Sequence, residues 1–230
     1  MRVLVVITDI RLGYLARTIS SMRTYLIGYF NKLIMMDDSG RADVGAYLNE
    51  TYPEFTIVHN SENMGRVVTM AAAWDIVNKM NAKYVFHLQN DFTFNEKVYL
   101  DEMETVLNLY PYLAQIALLR QPWNQKETDA GSIYLKDGLH QYTLNQWRDY
   151  NWLEQTIRFT DNPALIRASV LKLPYPQDEE SEAEFSTTVR DAGYKCAYWG
   201  VAYDRPRVTH IGYKRGQDYA GMPIEALLLP

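Results

Sequence analysis

The chain has 230 residues, of which 47% are apolar and 22% charged, and a formal net charge of -5. That length buries a sizeable core in one large domain or two small ones, and a mean hydropathy of -0.30 excludes a multi-span membrane protein. The acidic balance argues against a broad basic surface for nucleic acid but leaves a local basic groove open.

Residues 3–8 are a continuous apolar run, as in a strand covered on both faces. The run is too short for a membrane span or a signal peptide and meets Asp9 at once, so a cytoplasmic protein is expected. Leu15, Ile19, Met22, Leu26 and Tyr29 recur at helical spacing and predict a helix over 14–30. A strand at 32–36 runs into Asp37-Asp38-Ser39-Gly40, a short helix covers 43–51 before Pro53, and a strand follows at 55–58. The polar loop 60–66 leads into an alanine-rich helix at 67–80. The strand 84–88 then runs into Gln89-Asn90-Asp91, followed by a helix at 96–109 and a strand at 113–119.

This alternation implies right-handed crossovers and a mostly parallel sheet, with ligands bound at the carboxyl ends of the strands. Beyond residue 120 the pattern changes. Residues 121–160 are polar and aromatic and predict hairpins and loops; an extended stretch follows at 156–168, a helix at 181–192 and a strand at 195–203. The tail beyond Gly212 is expected either to be mobile or to fold over the site. Cys196, the single cysteine, excludes an internal disulfide and suits a buried, inert thiol.

Two parallel strands that both end in acids put those acids in one crevice, an arrangement suited to a nucleotide diphosphate held through a metal ion. The chain has neither the glycine-rich dinucleotide fingerprint, since Arg11-Leu12-Gly13 follows the first strand, nor a P-loop. A divalent cation with oxygen ligands is then the common way to neutralise phosphate. Asp91 is its natural ligand; the plain alternative is a turn or N-cap acid. Asp37 and Asp38 either make a turn before Gly40 or accept from a base N–H or ribose hydroxyl, in a pocket that Thr8 and Asp9 would complete. His87 is read as packing along its strand, while His59 and His140 carry no usable context.

The ordered set Val6-Ile7-Thr8-Asp9, Met36-Asp37-Asp38-Ser39-Gly40, Glu62-Asn63-Met64-Gly65-Arg66 and Leu88-Gln89-Asn90-Asp91-Phe92 resembles the family 2 type glycosyltransferases of GT-A fold. Closer still are the compact glycosyltransferases of tailed phages and bacteria, which the stretches Thr160–Leu165, Ser181–Phe185 and Val208–Gly212 also resemble. The resemblance covers roughly residues 1–120 and 158–216. It implies an α/β GT-A domain over residues 1–230, with a mostly parallel central sheet flanked by helices and a smaller mixed sheet in the acceptor half. Residues 1–120 would bind the nucleotide sugar, and 121–230 would form the acceptor half and tail.

Carried over residue by residue, the resemblance implies that Thr8, Asp9 and Asp38 hold the nucleoside, with Asp37 as the rival to Asp38. Glu62, Asn63, Gly65 and Arg66 would lie beside base and diphosphate; Arg66 is either a phosphate clamp or a solvated arginine at a helix start. Gln89-Asn90-Asp91 would be the Asp-x-Asp metal motif, with Gln89 in place of the first acid and free to bond ribose or sugar beside Asn90. Asp91 and the late His210 would bind Mn2+ or Mg2+, imidazole favouring Mn2+.

Inverting transfer needs a base for the acceptor hydroxyl. The resemblance implies this acid at a helix start before an Arg and a Gly-Tyr pair: matching on Glu184-Phe185 makes it Glu182, the first choice, and matching on Arg190 makes it Glu184; the plain alternative is that both acids stabilise a helix N-terminus. The donor would be a nucleotide diphosphate sugar, with UDP the family expectation. The acceptor would be a protein, a saccharide or, for a viral gene, a modified DNA base. Trp123, Trp147, Tyr150 and Trp152 either make an acceptor platform or cover the open edge of the sheet. A nucleotidyltransferase would want a glycine-rich, arginine-containing loop after the first strand, which is missing. A non-catalytic sugar-nucleotide or glycan-binding module is the remaining alternative.

Overall fold

The computed structural model describes residues 1–176, 181–219 and 221–229. The chain runs β1 (Arg2–Thr8), α1 (Leu12–Tyr25), β2 (Leu26–Ile27), β3 (Lys32–Asp37), α2 (Ala42–Thr51), β4 (Thr56–His59), α3 (Arg66–Lys79), β5 (Tyr84–Gln89), β6 (Phe92–Phe94) and β7 (Val98–Tyr99). It continues through α4 (Leu100–Leu109), β8 (Leu113–Leu118), α5 (Gln125–Ala130), α6 (Ile133–Asp137), β9 (Thr143–Trp147), β10 (Tyr150–Gln155) and β11 (Ala164–Arg167). It ends with α7 (Ser181–Asp191), β12 (Lys195–Trp199), β13 (Val208–His210) and α8 (Ile224–Leu227). Of the acidic run before α7, Asp178, Glu179 and Glu180 lie outside the described residues.

Among the described residues, nine strands form one sheet in the order β4-β3-β1-β5-β11-β8-β12-β10-β9. Strands β4, β3, β1 and β5 are parallel; β11 is antiparallel to both of its neighbours; β12 is parallel to β8, and β10 and β9 add an antiparallel hairpin. The sheet is covered on both faces, which is why β1 and β8 are buried along their whole length. Alternate residues of β1 serve opposite layers. Leu4 and Val6 meet α1, α2 and α4, while Val3, Val5 and Ile7 meet α3, α6 and α7. On the second face Trp74, Phe159, Tyr175 and Phe185 make an aromatic knot with ring centroids 4.4–6.0 Å apart.

The expected elements over residues 1–120 are present, with two shortened. The first helix stops at Tyr25 rather than residue 30, because Leu26 and Ile27 turn to pair with Val98 and Tyr99. The same pairing delays the start of α4 to Leu100. In the second half only Ala164–Arg167 of the extended stretch is a strand, and β12 ends at Trp199, where Gly200 takes φ +110°. The hairpin β9–β10 extends the large sheet, and a smaller two-stranded sheet pairs β13 with β6.

The tail folds over the carboxyl end of the sheet. Arg41 Nη1 donates to the Met222 carbonyl at 2.6 Å, and Tyr219 and Leu227 are buried in the first layer. Gly13 lies so close beneath Leu228 and Leu229 that an added Cβ would sit 2.8 Å from their carbonyl oxygens. Cys196 is buried, with its thiol pushed up by desolvation. His87 is buried with its pKa pushed down to about 4, chiefly by the same effect. No helix among the described residues is long and apolar enough to cross a membrane.

Candidate functional site

Parallel register brings the strand ends level: Thr8 lies opposite Asp37, and Ile7 opposite both Met36 and Gln89. The residues that follow leave the sheet at one edge. They remain tied to it by Asp38 N–H donating to the Thr8 carbonyl (2.9 Å) and Asn90 N–H donating to the Ile7 carbonyl (3.0 Å). A pocket of about 530 Å³ opens there, lined by Thr8, Asp9, Arg11, Asp38, Asn63, Gly65, Arg66, Gln89 and Asn90, with Arg215 and Gln217 supplied by the tail.

The two neighbouring acids of β3 separate. Asp38 lines the pocket, where its Oδ1 accepts from Asn60 Nδ2 (2.9 Å) and Met64 N–H (2.8 Å). Asp37 is fully buried, caps Ser39 N–H and lies 2.7 Å from His59 Nδ1, apart from the pocket lining. Gly40, at φ +66°, lets this turn approach the 62–63 backbone so closely that a Cβ would lie 2.6 Å from Asn63 N.

Asp91 is 3% exposed and lies beyond β5. Its Oδ2 receives Arg11 Nη1 at 2.9 Å and stands 3.2 Å from His210 Nε2. His210 arrives through the antiparallel pairing of β13 with β6, which sets it opposite Phe92, and through Ile211 N–H donating to the Asp91 carbonyl at 2.8 Å. Gln121 clamps the His210 backbone at both ends, donating to its carbonyl (2.8 Å) and accepting from its N–H (2.9 Å). Gly212 leaves room for the carboxylate, since a Cβ there would collide with Asp91. Burial pushes the Asp91 carboxyl up, but His210 and Arg11 outweigh it and hold it below the ordinary value.

Residues Asp91 and His210 fit a divalent cation as two of its ligands. Asp91 Oδ1 and His210 Nδ1 are buried without a hydrogen-bond partner among the described residues, and the carboxylate and imidazole Nε2 already converge. No group of three or more acid, histidine or cysteine side chains among the described residues could hold a metal by itself. The remaining ligands would be water, amide or carbonyl oxygens, or the phosphate oxygens of a substrate.

A second cleft of about 280 Å³ continues from the pocket, with Arg66 and Gln89 in both walls; Asp161, Asn162, Glu182, His210, Arg120 and Trp123 complete it. Glu182 is half-buried at the start of α7, while Glu184 is exposed and outside the cleft lining. Trp123 packs edge-on against the His210 ring at 3.8 Å and stacks on Tyr213 at 5.5 Å. Its loop is anchored by buried Glu127, which accepts from Arg120 Nη1 (2.6 Å) and Trp123 N–H (3.0 Å). The other aromatic residues of the segment do not reach the cleft. Trp152 is core, and Trp147 and Tyr150 pack along the sheet edge with Trp199.

Among the site residues to which the sequence reading assigns no role, Arg11 and Asp161 stand out. Arg11 was noticed only for the glycines missing around it, yet it bridges Asp9, Asn90 and Asp91. A cation two positions after a strand-end acid was the available signal. Asp161 lies within the stretch Thr160–Leu165, to which the sequence assigns no role. It is buried, ion-paired with Arg66, and its carboxyl is pushed up to about 7 by desolvation and by Glu182, against the pull of Arg66.

No protein-family model matches the chain, and no curated protein matches it. Solved structures do. The chain is similar to GalNAc-T7 with UDP, GalNAc and Mn2+ (TM-score 0.62, 11% identity, 91% of this chain and 43% of that one). It is similar to the mannosyltransferase PcManGT from Pyrobaculum calidifontis in complex with GDP-Man and Mn2+ (TM-score 0.58, 15% identity, 94% and 58%). It is also similar to S. aureus TarS (TM-score 0.58, 10% identity, 91% and 36%). The chain thus spans less than two thirds of each of these proteins. The mostly parallel sheet flanked by helices, which this chain shares with them, is the GT-A fold.

Proposed function

We propose that the protein is a glycosyltransferase that moves a sugar from a nucleotide diphosphate sugar, a UDP-sugar first, to an acceptor hydroxyl with inversion, assisted by Mn2+ or Mg2+. The observation that carries this reading is the continuity of the two cavities. The pocket lined by Asp38, Asp9 and Arg66 shares Arg66 and Gln89 with a cleft that holds both His210 and Glu182. The similar proteins are described with UDP, GalNAc and Mn2+ and with GDP-Man and Mn2+, which supports a donor and cation of this class.

In this reading Asp38 and Asp9, with Thr8 and Asn63, hold the nucleoside, carboxylates accepting from N–H and hydroxyl donors. Arg66 and Arg215 face the diphosphate; the guanidinium fork suits paired phosphate oxygens. Asp91 and His210 hold the cation, which when bound would neutralise charge on the leaving diphosphate. Glu182 takes the acceptor proton as the acceptor oxygen bonds to the anomeric carbon. The bond from that carbon to the phosphate oxygen breaks, and its electron pair leaves with the diphosphate. The acceptor, a protein, a saccharide or a modified DNA base, would approach along Trp123.

The test is release of UDP from a panel of UDP-sugars with Mn2+, with GDP-sugars as the comparison arm. Glu182→Gln should lower turnover about 10²–10⁴-fold with UDP affinity unchanged, and Glu184→Gln should leave turnover near wild type. A glycan-binding or sugar-nucleotide-binding module, for which Gln89 in place of an acid speaks, would give a thermal shift with the same compounds and no release.

A further inference from the structure

We infer that Arg11 is a built-in counter-cation that competes with the divalent ion for Asp91, so that cation and diphosphate bind together rather than separately. This rests on the donor and cation reading above. The Arg11 side chain, 15% exposed, spans the floor of the pocket. Its Nε lies 3.0 and 2.9 Å from the two Asp9 oxygens, Nη1 donates to Asp91 Oδ2 at 2.9 Å, and Nη2 donates to Asn90 Oδ1 at 3.1 Å. From the tail side, the Lys214 carbonyl accepts from Nη1 at 3.4 Å.

The oxygen that Arg11 holds is the one that faces His210 Nε2. The guanidinium therefore holds one of the two oxygens of the carboxylate that fits the metal, and leaves Oδ1 unpartnered among the described residues. The charges follow. Asp9 and Asp91 contribute two negative charges and Arg11 one positive. Gln89, where another acid would add a third negative charge, adds none. A divalent ion arriving alone would leave positive charge in excess around the buried Asp91 carboxylate, next to a guanidinium that cannot deprotonate. A diphosphate reverses the balance. It offers Arg11 paired anionic oxygens in exchange for Asp91, and it offers the ion further oxygen ligands.

Binding linkage makes this coupling reciprocal. The experiment is a titration of the full chain with Mn2+, read from the EPR signal of the free ion, with and without UDP. For wild type, UDP should tighten Mn2+ binding at least about tenfold, equivalent to about 1.4 kcal/mol. Arg11→Gln should bind Mn2+ alone about tenfold more tightly than wild type does, with UDP tightening it less; Arg11→Lys should stay close to wild type. Equal Mn2+ affinity with and without UDP in wild type overturns the inference without any variant. So does a folded Arg11→Gln with unchanged Mn2+ affinity. Absence of Mn2+ binding to wild type in the presence of UDP overturns the cation reading, and the inference with it.

Discussion

Asp161 holds a charge that the fold makes costly, and this should appear in the stability of the protein. Its carboxyl is raised in the folded chain to about 7 by burial first and by Glu182 second, against an ordinary value near 3.9 in the unfolded chain. Between about pH 4 and pH 7 the folded state therefore keeps a proton that the unfolded state has released. Stability falls as pH rises through that window, by at most about 1.4 kcal/mol per pH unit. Asp161→Asn should flatten that slope, measured as the difference between urea midpoints at pH 5 and pH 7; an undiminished slope would assign it to another group. At this scale the sequence was a partial guide. Asp38 and Asp37 could not be told apart because successive residues at a strand end point to opposite sides, and only the fold sends one to the pocket and the other to His59. Asp161 gave no local signal, since its partner Arg66 is 95 positions away.

Among the elements, β13 is small and decisive. It has three residues, and its last is His210, which it sets opposite Phe92 and beside Asp91. β6 holds it on one side; on the other, Val208 N–H donates to the Leu119 carbonyl (3.2 Å), and the Gln121 side chain donates one hydrogen bond to the His210 backbone and accepts one from it. Gln121→Ala removes the two bonds that hold the His210 backbone. At about 1 kcal/mol per hydrogen bond, Mn2+ affinity measured in the presence of UDP should fall by up to about thirtyfold, while UDP affinity without metal stays as in wild type. An equal loss of both would mean that Gln121 supports the whole site rather than the histidine. Strands such as 84–88 were legible because a two-sided sheet demands continuous apolar runs, and the helix at 67–80 because its alanines favour helix. The pairing of β2 with β7, and of β9–β10 with the sheet, was not legible: each depends on partners far along the chain.

Over the whole molecule, charge is distributed unevenly. The chain is acidic, at -5, yet three arginines, Arg11, Arg66 and Arg215, line the proposed nucleotide pocket against two acids, Asp9 and Asp38. An anionic ligand is thus drawn to a local field against the net charge, and such attraction is screened by salt. Raising NaCl from about 0.05 M to about 0.5 M should weaken UDP binding roughly three- to tenfold, by calorimetry; an affinity indifferent to salt would place the arginines in structural pairing alone. The sheet order has a different consequence, for the making of the protein. Strand β11, residues 164–167, is inserted between β5 and β8, both complete before residue 120. During synthesis those two strands must wait, with facing edges unsatisfied, for some 45 further residues to leave the ribosome. That delay makes the newborn chain slow to close and open to edge-to-edge association until β11 arrives.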